Sequence, residues 1–292
     1  MAYKDFKTLD EQISILKSRG LKIPDEEEAR TFLLRNNYYR VSGYSLTLRK
    51  HDVFFPSATF QNLVDIYEFD HELRHLMLKY IELIEVSVKS VYSYEFTRVH
   101  GPTGYLNSAY FTDARKHDEI IQKAEQQKAS RLAHEAYLKH FVEDLKEEVP
   151  LWAYVDLFTI SDISFFYAIS EPEIQKAVAA DLGIQKQGPL LLGKFMHSMT
   201  IIRNLCAHGS RLYNRLFEQR PKLSKEELAL LRTDRNGRVD NSHLFGFLLI
   251  MRRLLPQEEF RQFTFALWEL TQKYSFVNMR YYGFPEDWED TL

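Results

Sequence analysis

FQNLVDIYEFDHELRHLMLKYIELIEVSVKSVYSYEFTRVH, residues 60–100, contains no glycine and no proline. Thr59, just before it, is a residue type that caps helices, and Gly101 and Pro102, just after it, stop one. The length predicts either one long core helix or two helices joined by a disguised break. Either way, a stretch this long without a breaker sets the chain on a helical course.

The flanking sequence continues the pattern. LDEQISILKSRG, residues 9–20, spaces Leu9, Ile13 and Leu16 along one helical face and ends on Gly20. Pro24 and Asp25 open a second helix whose first turn carries Glu26, Glu27 and Glu28, favourable at the positive end of a helix dipole. It runs into NNYYRVSGYSL, residues 36–46, an aromatic and polar loop, and then RKHDVFFPSATF, residues 49–60, which has no helical period.

Beyond Pro102, residues 113–148 are charge-rich, with Ile120, Ala124, Leu132, Tyr137 and Phe141 as a thin apolar stripe. This predicts a solvated helix or helical hairpin leaning on the core. Pro150 starts an aromatic segment, WAYVDLFTISDISFFYAI, which reads as one fully buried helix. Pro172 and Gly188-Pro189 punctuate two more helices, and Ser224 with Glu227 makes a capping-box pattern. TDRNGRVDNS, residues 233–242, is an exposed loop before two last helices at 242–255 and 257–274. No two-residue alternation persists long enough for a sheet, and no internal repeat is visible, so the fold class is all-α.

Composition narrows the function. The 292 residues are 45% hydrophobic, enough for a sizeable core, and the net charge of −3 argues against a protein that coats nucleic acid non-specifically. A local basic site remains compatible with that balance, because phosphate affinity depends on where charges sit. The single cysteine, Cys206, rules out an internal disulfide and suits a reducing cytoplasm. The start MAYKDFKTLDEQ lacks the apolar core of a signal peptide. The apolar run at 244–251 is too short to span a bilayer, so no membrane partner is expected.

RNLCAHGSRLYNR, residues 203–215, is where chemistry concentrates. A helix continued through it puts Ile201, Ile202, Leu205, Cys206, Leu212, Tyr213 and Leu216 on one half, with Gly209 among them at a cost of about 1 kcal/mol in helix propensity. Asn204, His208, Arg211 and Arg215 form a stripe on the other half, with Arg203 beside it and Asn214 on the same side. An ordinary solvated face would hold acids, lysines or glutamines, and this stripe has none. Between Arg203 and Lys222 only Glu218 opposes the positive charge, so the local field favours an anion. Histidine can carry a proton either way near neutral pH, and arginine grips phosphate oxygens with a planar fork. Together they suit RNA cleavage by the ribose 2′-hydroxyl, which needs a base, an acid and charge stabilisation. Cys206 falls on the apolar side and reads as packing.

Arg203 and His208, with four residues between them, match the R-x4-H motif of HEPN (higher eukaryotes and prokaryotes nucleotide-binding) ribonucleases. The stretch RNLCAHGSRLYNR, together with NNYYRVSGY and LVDIYEFDHELRHLMLKYIELIEVSVK, resembles the Abi-like abortive-infection proteins of AbiD/AbiF type. The three blocks run in order from Asn36 to Arg215 and cover about two thirds of the chain. The resemblance implies a HEPN-like helical bundle at 58–292, with a small N-terminal helical extension at 1–57 and extra helices at the C-terminus. It implies metal-independent RNA cleavage in phage defence, with no cofactor, by a toxin-like protein that a regulatory RNA or an antitoxin restrains. Carried onto this chain, Arg203 would bind the scissile phosphate, His208 would act as acid and base, and Asn204 would orient. Arg211, Asn214 and Arg215 would line the RNA path. The resemblance further implies a homodimer in which two motifs meet. One motif offers one imidazole, and Arg98/His100 and Arg131/His134 have the wrong spacing to supply a second. Some HEPN folds bind RNA without cutting it, and that is the competing reading.

Other residues invite a function and have plainer explanations. HELRH at 71–75 is a literal H-E-x-x-H, which on a helix would present His71 and His75 to zinc beside Glu72, but no third ligand follows. Glu82 and Glu85 would reach the motif from a facing helix or form a solvated edge. Tyr38, Tyr39, Arg40 and Tyr44 would stack bases or close a loop onto the core. His197, among apolar neighbours, reads as a satisfied core histidine.

Overall fold

A computed structural model describes residues 5–185, 187–234 and 236–292. In chain order it holds α1 (Leu9–Ser18), α2 (Glu26–Asn36), α3 (Tyr38–Ser42), a hairpin of β1 (Arg49–Lys50) and β2 (Val53–Phe54), and α4 (Phe60–His100). There follow α5 (Ala114–Arg131), α6 (Ala136–Lys139), α7 (Leu151–Tyr154), α8 (Ile160–Ile169), α9 (Pro172–Asp181) and α10 (Gly188–Ala207). The chain finishes with α11 (Lys225–Ala229), α12 (Phe245–Leu254), α13 (Gln257–Lys273) and α14 (Trp288–Thr291). The fold is all-α, as the periodicity predicts.

The breaker-free stretch is a single helix of 41 residues, about 60 Å long at 1.5 Å per residue. Thr59 and Asn62 exchange the reciprocal bonds of a capping box at its start, and Gly101, at φ +77°, ends it. Its buried stripe of Leu63, Ile66, Leu73, Met77, Tyr80, Ile84, Val88, Tyr92 and Phe96 follows the three-and-four spacing of one helical face. α7, α9, α10 and α13 pack against this axis, and one continuous hydrophobic core runs from Ile13 in α1 to Trp288 in α14. The predicted caps hold: Asp25 caps α2, Ser224 and Glu227 box α11, and Pro172 sits in the first turn of α9.

Three sequence expectations need correction. NNYYRVSGYSL is not all loop: Tyr38–Ser42 forms the short helix α3, capped by Asn37, whose side-chain oxygen accepts the Tyr39 amide at 2.9 Å. Residues 152–169 are not one buried helix: α7 passes through a 3₁₀ turn, and Thr159 then restarts the chain as α8 through a capping box with Asp162. Trp152 and Phe165 of this segment are exposed. The stretch at 49–60, read as lacking a helical period, forms a two-stranded hairpin, turned by His51 and Asp52, both at positive φ. That is the turn geometry matching strand twist, here without the usual glycine.

The core is not purely apolar. Asp70, fully buried on the α4 stripe, forms a salt bridge with Arg74 one turn on, itself 2% exposed. Its carboxylate also accepts the Tyr44 hydroxyl at 2.7 Å, the Tyr282 hydroxyl at 2.9 Å, the Tyr213 amide at 2.8 Å and the Leu212 amide at 3.2 Å. One carboxylate thereby joins four segments distant in sequence. Removing one member of a buried pair strands the other charge, typically at about 3–5 kcal/mol. Asp70→Ala is therefore expected to lower the unfolding free energy by about that amount in urea titration, and a loss under about 1 kcal/mol would show the pair to be dispensable.

Candidate functional site

α10 ends inside the polar stretch instead of running through it. Gly209 takes φ +63°, its amide donates to the Cys206 carbonyl at 3.0 Å, and the Ser210 amide donates to the Leu205 carbonyl at 2.8 Å. These are the paired bonds with which glycine closes a helix. The expected continuous helix to Leu216 is thus corrected: His208 is the capping residue, and residues 210–217 form an irregular, well-anchored segment. Gly209 does not pack on the apolar side. A Cβ there would meet the Arg40 guanidinium at 3.4 Å, in a backbone conformation that side chains rarely adopt.

Arg40 holds this helix end in place. It donates through Nη2 to the Gly209 carbonyl and through Nε to the Tyr67 hydroxyl at 3.0 Å. Tyr44, fully buried, bonds Asp70, and burial beside that carboxylate raises its phenol pKa well above the ordinary value. Arg211 lies over the Tyr44 ring, 6.0 Å from its centroid, and donates to the Tyr213 carbonyl at 2.7 Å. The three sequence blocks that carry the family resemblance therefore meet in space, around Asp70 and Gly209. Tyr44 closes the loop onto the core, whereas Tyr39 is 88% exposed. Cys206 is buried among these groups, and desolvation pushes its thiol up to about 12. It is a packing residue.

The expected site residues separate into two sets. Asn204, His208 and Arg215 line one open cleft of about 440 Å³, walled by Leu216 and Phe217. The His208 side chain is exposed and accepts or donates no hydrogen bond among the described residues. Arg203, half-buried, stands beside the cleft with a 3.4 Å contact to the Asn204 amide oxygen and no carboxylate partner among the described residues. Arg215 leans on the Phe217 ring at 5.8 Å. Arg211 and Asn214 lie outside these walls: the first is held on Tyr44, and the second is a turn residue at φ +49° whose amide donates to the Tyr281 carbonyl. Because the site sits at the C-terminal end of a helix, the helix dipole does not favour an anion there, and Arg203 and Arg215 supply the positive charge.

The remaining candidates fall elsewhere. The His71 and His75 rings lie 4.4 Å apart on α4, but Glu72 accepts bonds from Lys273 and Tyr274, both at 2.7 Å. No group of three potential ligands is arranged to hold a metal among the described residues. Glu85 pairs with Lys89 at 2.8 Å, Glu82 is exposed, and neither bonds to the motif. His197 is not a core histidine: it is exposed, with Nε2 3.0 Å from the Gln219 amide oxygen. Sequence reasoning passed over Asp70, Arg74 and the anchoring role of Arg40. The available signal was an aspartate falling in register with Leu63, Ile66, Leu73 and Met77 on an otherwise apolar face.

The Abi-like protein family matches residues 31–214, well over half of the chain, and the chain belongs to that family. The match spans the loop of Arg40 and Tyr44, all of α4, and the helix end at Gly209. No curated protein and no solved structure matches it. Membership suggests a part in abortive infection, a defence against phage. No helix among the described residues is long and apolar enough to cross a membrane.

Two measurements check this division of labour. Near about pH 8, Cys206 should react with iodoacetamide roughly a thousandfold more slowly than a free thiol and become labelled only on unfolding, because so little of it is thiolate. Rapid native labelling, read by mass spectrometry, would contradict the buried assignment. Arg211→Ala should cost about 2 kcal/mol of stability, since it removes a charged hydrogen bond and a ring contact, whereas Arg215→Ala should change it by less than about 0.5 kcal/mol.

Proposed function

We propose that this Abi-like chain is a metal-independent, HEPN-type endoribonuclease acting in abortive infection. One observation supports the reading most directly: His208 and Arg203 stand unpaired at a helix end, while their arginine neighbours Arg40 and Arg211 are bound into the scaffold that fixes it. The backbone that carries these two side chains is anchored, through Arg40 on the Gly209 carbonyl, while among the described residues the imidazole is left without a partner and the guanidinium with only the Asn204 amide oxygen at 3.4 Å.

In the reaction a base removes the proton of a ribose 2′-hydroxyl and the oxygen attacks the adjacent phosphorus. The bond to the 5′-oxygen breaks, and that oxygen takes a proton from an acid. The products are a 2′,3′-cyclic phosphate and a 5′-hydroxyl. His208 serves as the proton carrier, Asn204 orients, Arg203 binds the scissile phosphate and Arg215 adds charge from the cleft wall. His197 cannot be the second proton group at the same phosphate, since eleven helical residues place it about 16 Å away along α10. A homodimer bringing two R-x4-H motifs together supplies the second imidazole through an isologous interface. The position of Arg203 outside its own chain's cleft suits a role across that interface. The competing reading is an RNA-binding module without cleavage, favoured by the lone imidazole of a single chain.

Purified protein incubated with mixed RNA in excess chelator, beside His208→Ala, tests the assignment. Cleavage should fall by about 10²–10⁴-fold in the variant, the usual worth of a general acid or base, while circular dichroism stays unchanged. RNA bound by both proteins and cut by neither would favour the binding module. A monomer at micromolar concentration that still cleaves at full rate would remove the two-chain site.

A further inference from the structure

α10 presents a second set of chemistry on the same face as the motif. Leu190, Lys194, His197, Ile201, Asn204 and His208 recur at intervals of four and three residues, which places them in one stripe. Along the N-terminal part of that stripe runs an open groove of about 880 Å³, walled on one side by Ser161, Ser164 and Phe165 of α8 and on the other by residues 219–222. Ile201 and Gln219 line both this groove and the His208 cleft, so the two form one path. It extends about 21 Å along α10 from Lys194 to His208.

The charge of the groove is one-sided. Lys194, Arg220 and Lys222 line it, all exposed, and none has a carboxylate partner among the described residues. No aspartate or glutamate lies in its walls. Nearby lysines on α5 behave otherwise: Lys116 pairs with Glu119 at 3.2 Å and Lys123 with Asp162 at 2.7 Å. The groove also contains an aromatic surface, Phe165, 48% exposed although it belongs to an aromatic segment packed into the core. Unpaired cations beside an exposed ring are the elements that hold a single strand, the first on its phosphates and the second on a base face. A duplex keeps its base faces stacked and would offer the ring no base, whereas a single strand can stack on the face that the Lys116 ammonium, 4.8 Å from the ring centroid, does not cover.

We infer that this groove carries the single-stranded RNA flanking the scissile phosphate, with Lys194, Arg220 and Lys222 on successive phosphates and Phe165 under a base. The inference takes the identity of the reacting phosphate from the ribonuclease reading, but the contact itself is measurable without cleavage. The His197–Gln219 hydrogen bond, 3.0 Å long, joins the two walls of the groove, and the strand displaces or straddles it.

The test uses full-length protein and a fluorescein-labelled single-stranded RNA of about twelve nucleotides, read by anisotropy over a salt series. Lys194→Ala/Arg220→Ala/Lys222→Ala should reduce the slope of log affinity against log salt by about two, since each phosphate contact to a single strand contributes about 0.7. Phe165→Ala should weaken binding about tenfold with the slope unchanged, because stacking carries no counterion term. Both variants change exposed side chains and should melt as the wild type does; Lys194→Glu alone, if the triple variant melts early, should still lower the slope. Unchanged slope and affinity in these variants would overturn the groove, as would a fully paired RNA of the same length competing equally well. Loss of slope in a protein that never cleaves would leave the groove standing and remove the ribonuclease reading. Cleavage by wild type and triple variant alike, with unchanged binding, would do the reverse.

Discussion

The carboxylate of Asp70 is the constraint on which the rest of the structure depends. A fully buried negative charge is tolerated only when it is paired and its oxygens are filled with donors. Here the donors come from Arg74 on the same helix, Tyr44 from the N-terminal loop, Tyr282 near the C-terminus and two backbone amides just past the motif. Each donor is also desolvated, so none can leave without stranding the others. The irregular segment at 210–217 therefore holds a defined path although no helix or strand supports it. Where Leu212 and Tyr213 go is decided by a side chain 142 positions earlier.

This arrangement sorts arginines that look alike in sequence. Arg74 balances the buried carboxylate, Arg40 holds the carbonyl of Gly209, and Arg211 lies on Tyr44 while donating to a backbone carbonyl. Those three fix the end of α10. Arg203 is left with one contact at 3.4 Å to the Asn204 amide oxygen, and Arg215 with one at 3.4 Å to the Arg211 carbonyl beside the Phe217 ring. The guanidinium group suits both tasks, because its fork can satisfy several carbonyls in a scaffold or several oxygens of a phosphate. Partner counting in the folded chain separates the two uses, and sequence position does not.

Features set by local rules were legible in the sequence. The length of α4, its Thr59 cap, the acidic start of α2, the capping box at Ser224 and the proline-marked start of α9 all follow from helix termini needing partners for unpaired amides. The Thr159–Asp162 box was equally legible and was hidden by the apolar residues around it. The end of α10 was not legible from periodicity, because Leu212, Tyr213 and Leu216 continue the helical spacing beyond Gly209. What ends the helix is local, a glycine at positive φ, but what makes that ending favourable is tertiary: Arg40 on the glycine carbonyl and Asp70 on the two amides downstream. Tertiary partners also account for His197, whose apolar sequence neighbours concealed an exposed position opposite Gln219.

The polarity of α10 gives the candidate site its remaining logic. Helix N-termini attract anions through free amides and the positive end of the dipole, whereas C-termini present carbonyls that repel them. His208 stands at the wrong end of its helix for a phosphate, so the helix dipole gives an anion no help there and the charge must come from arginine side chains. Along the same helix, Lys194 lies in the second turn, where the dipole and the ammonium act together. A strand laid along this face would thus be bound most firmly toward the start of α10 and least firmly at the motif. Binding would come from phosphates that do not react, leaving the arginines near His208 to act on the charge that develops at the one that does.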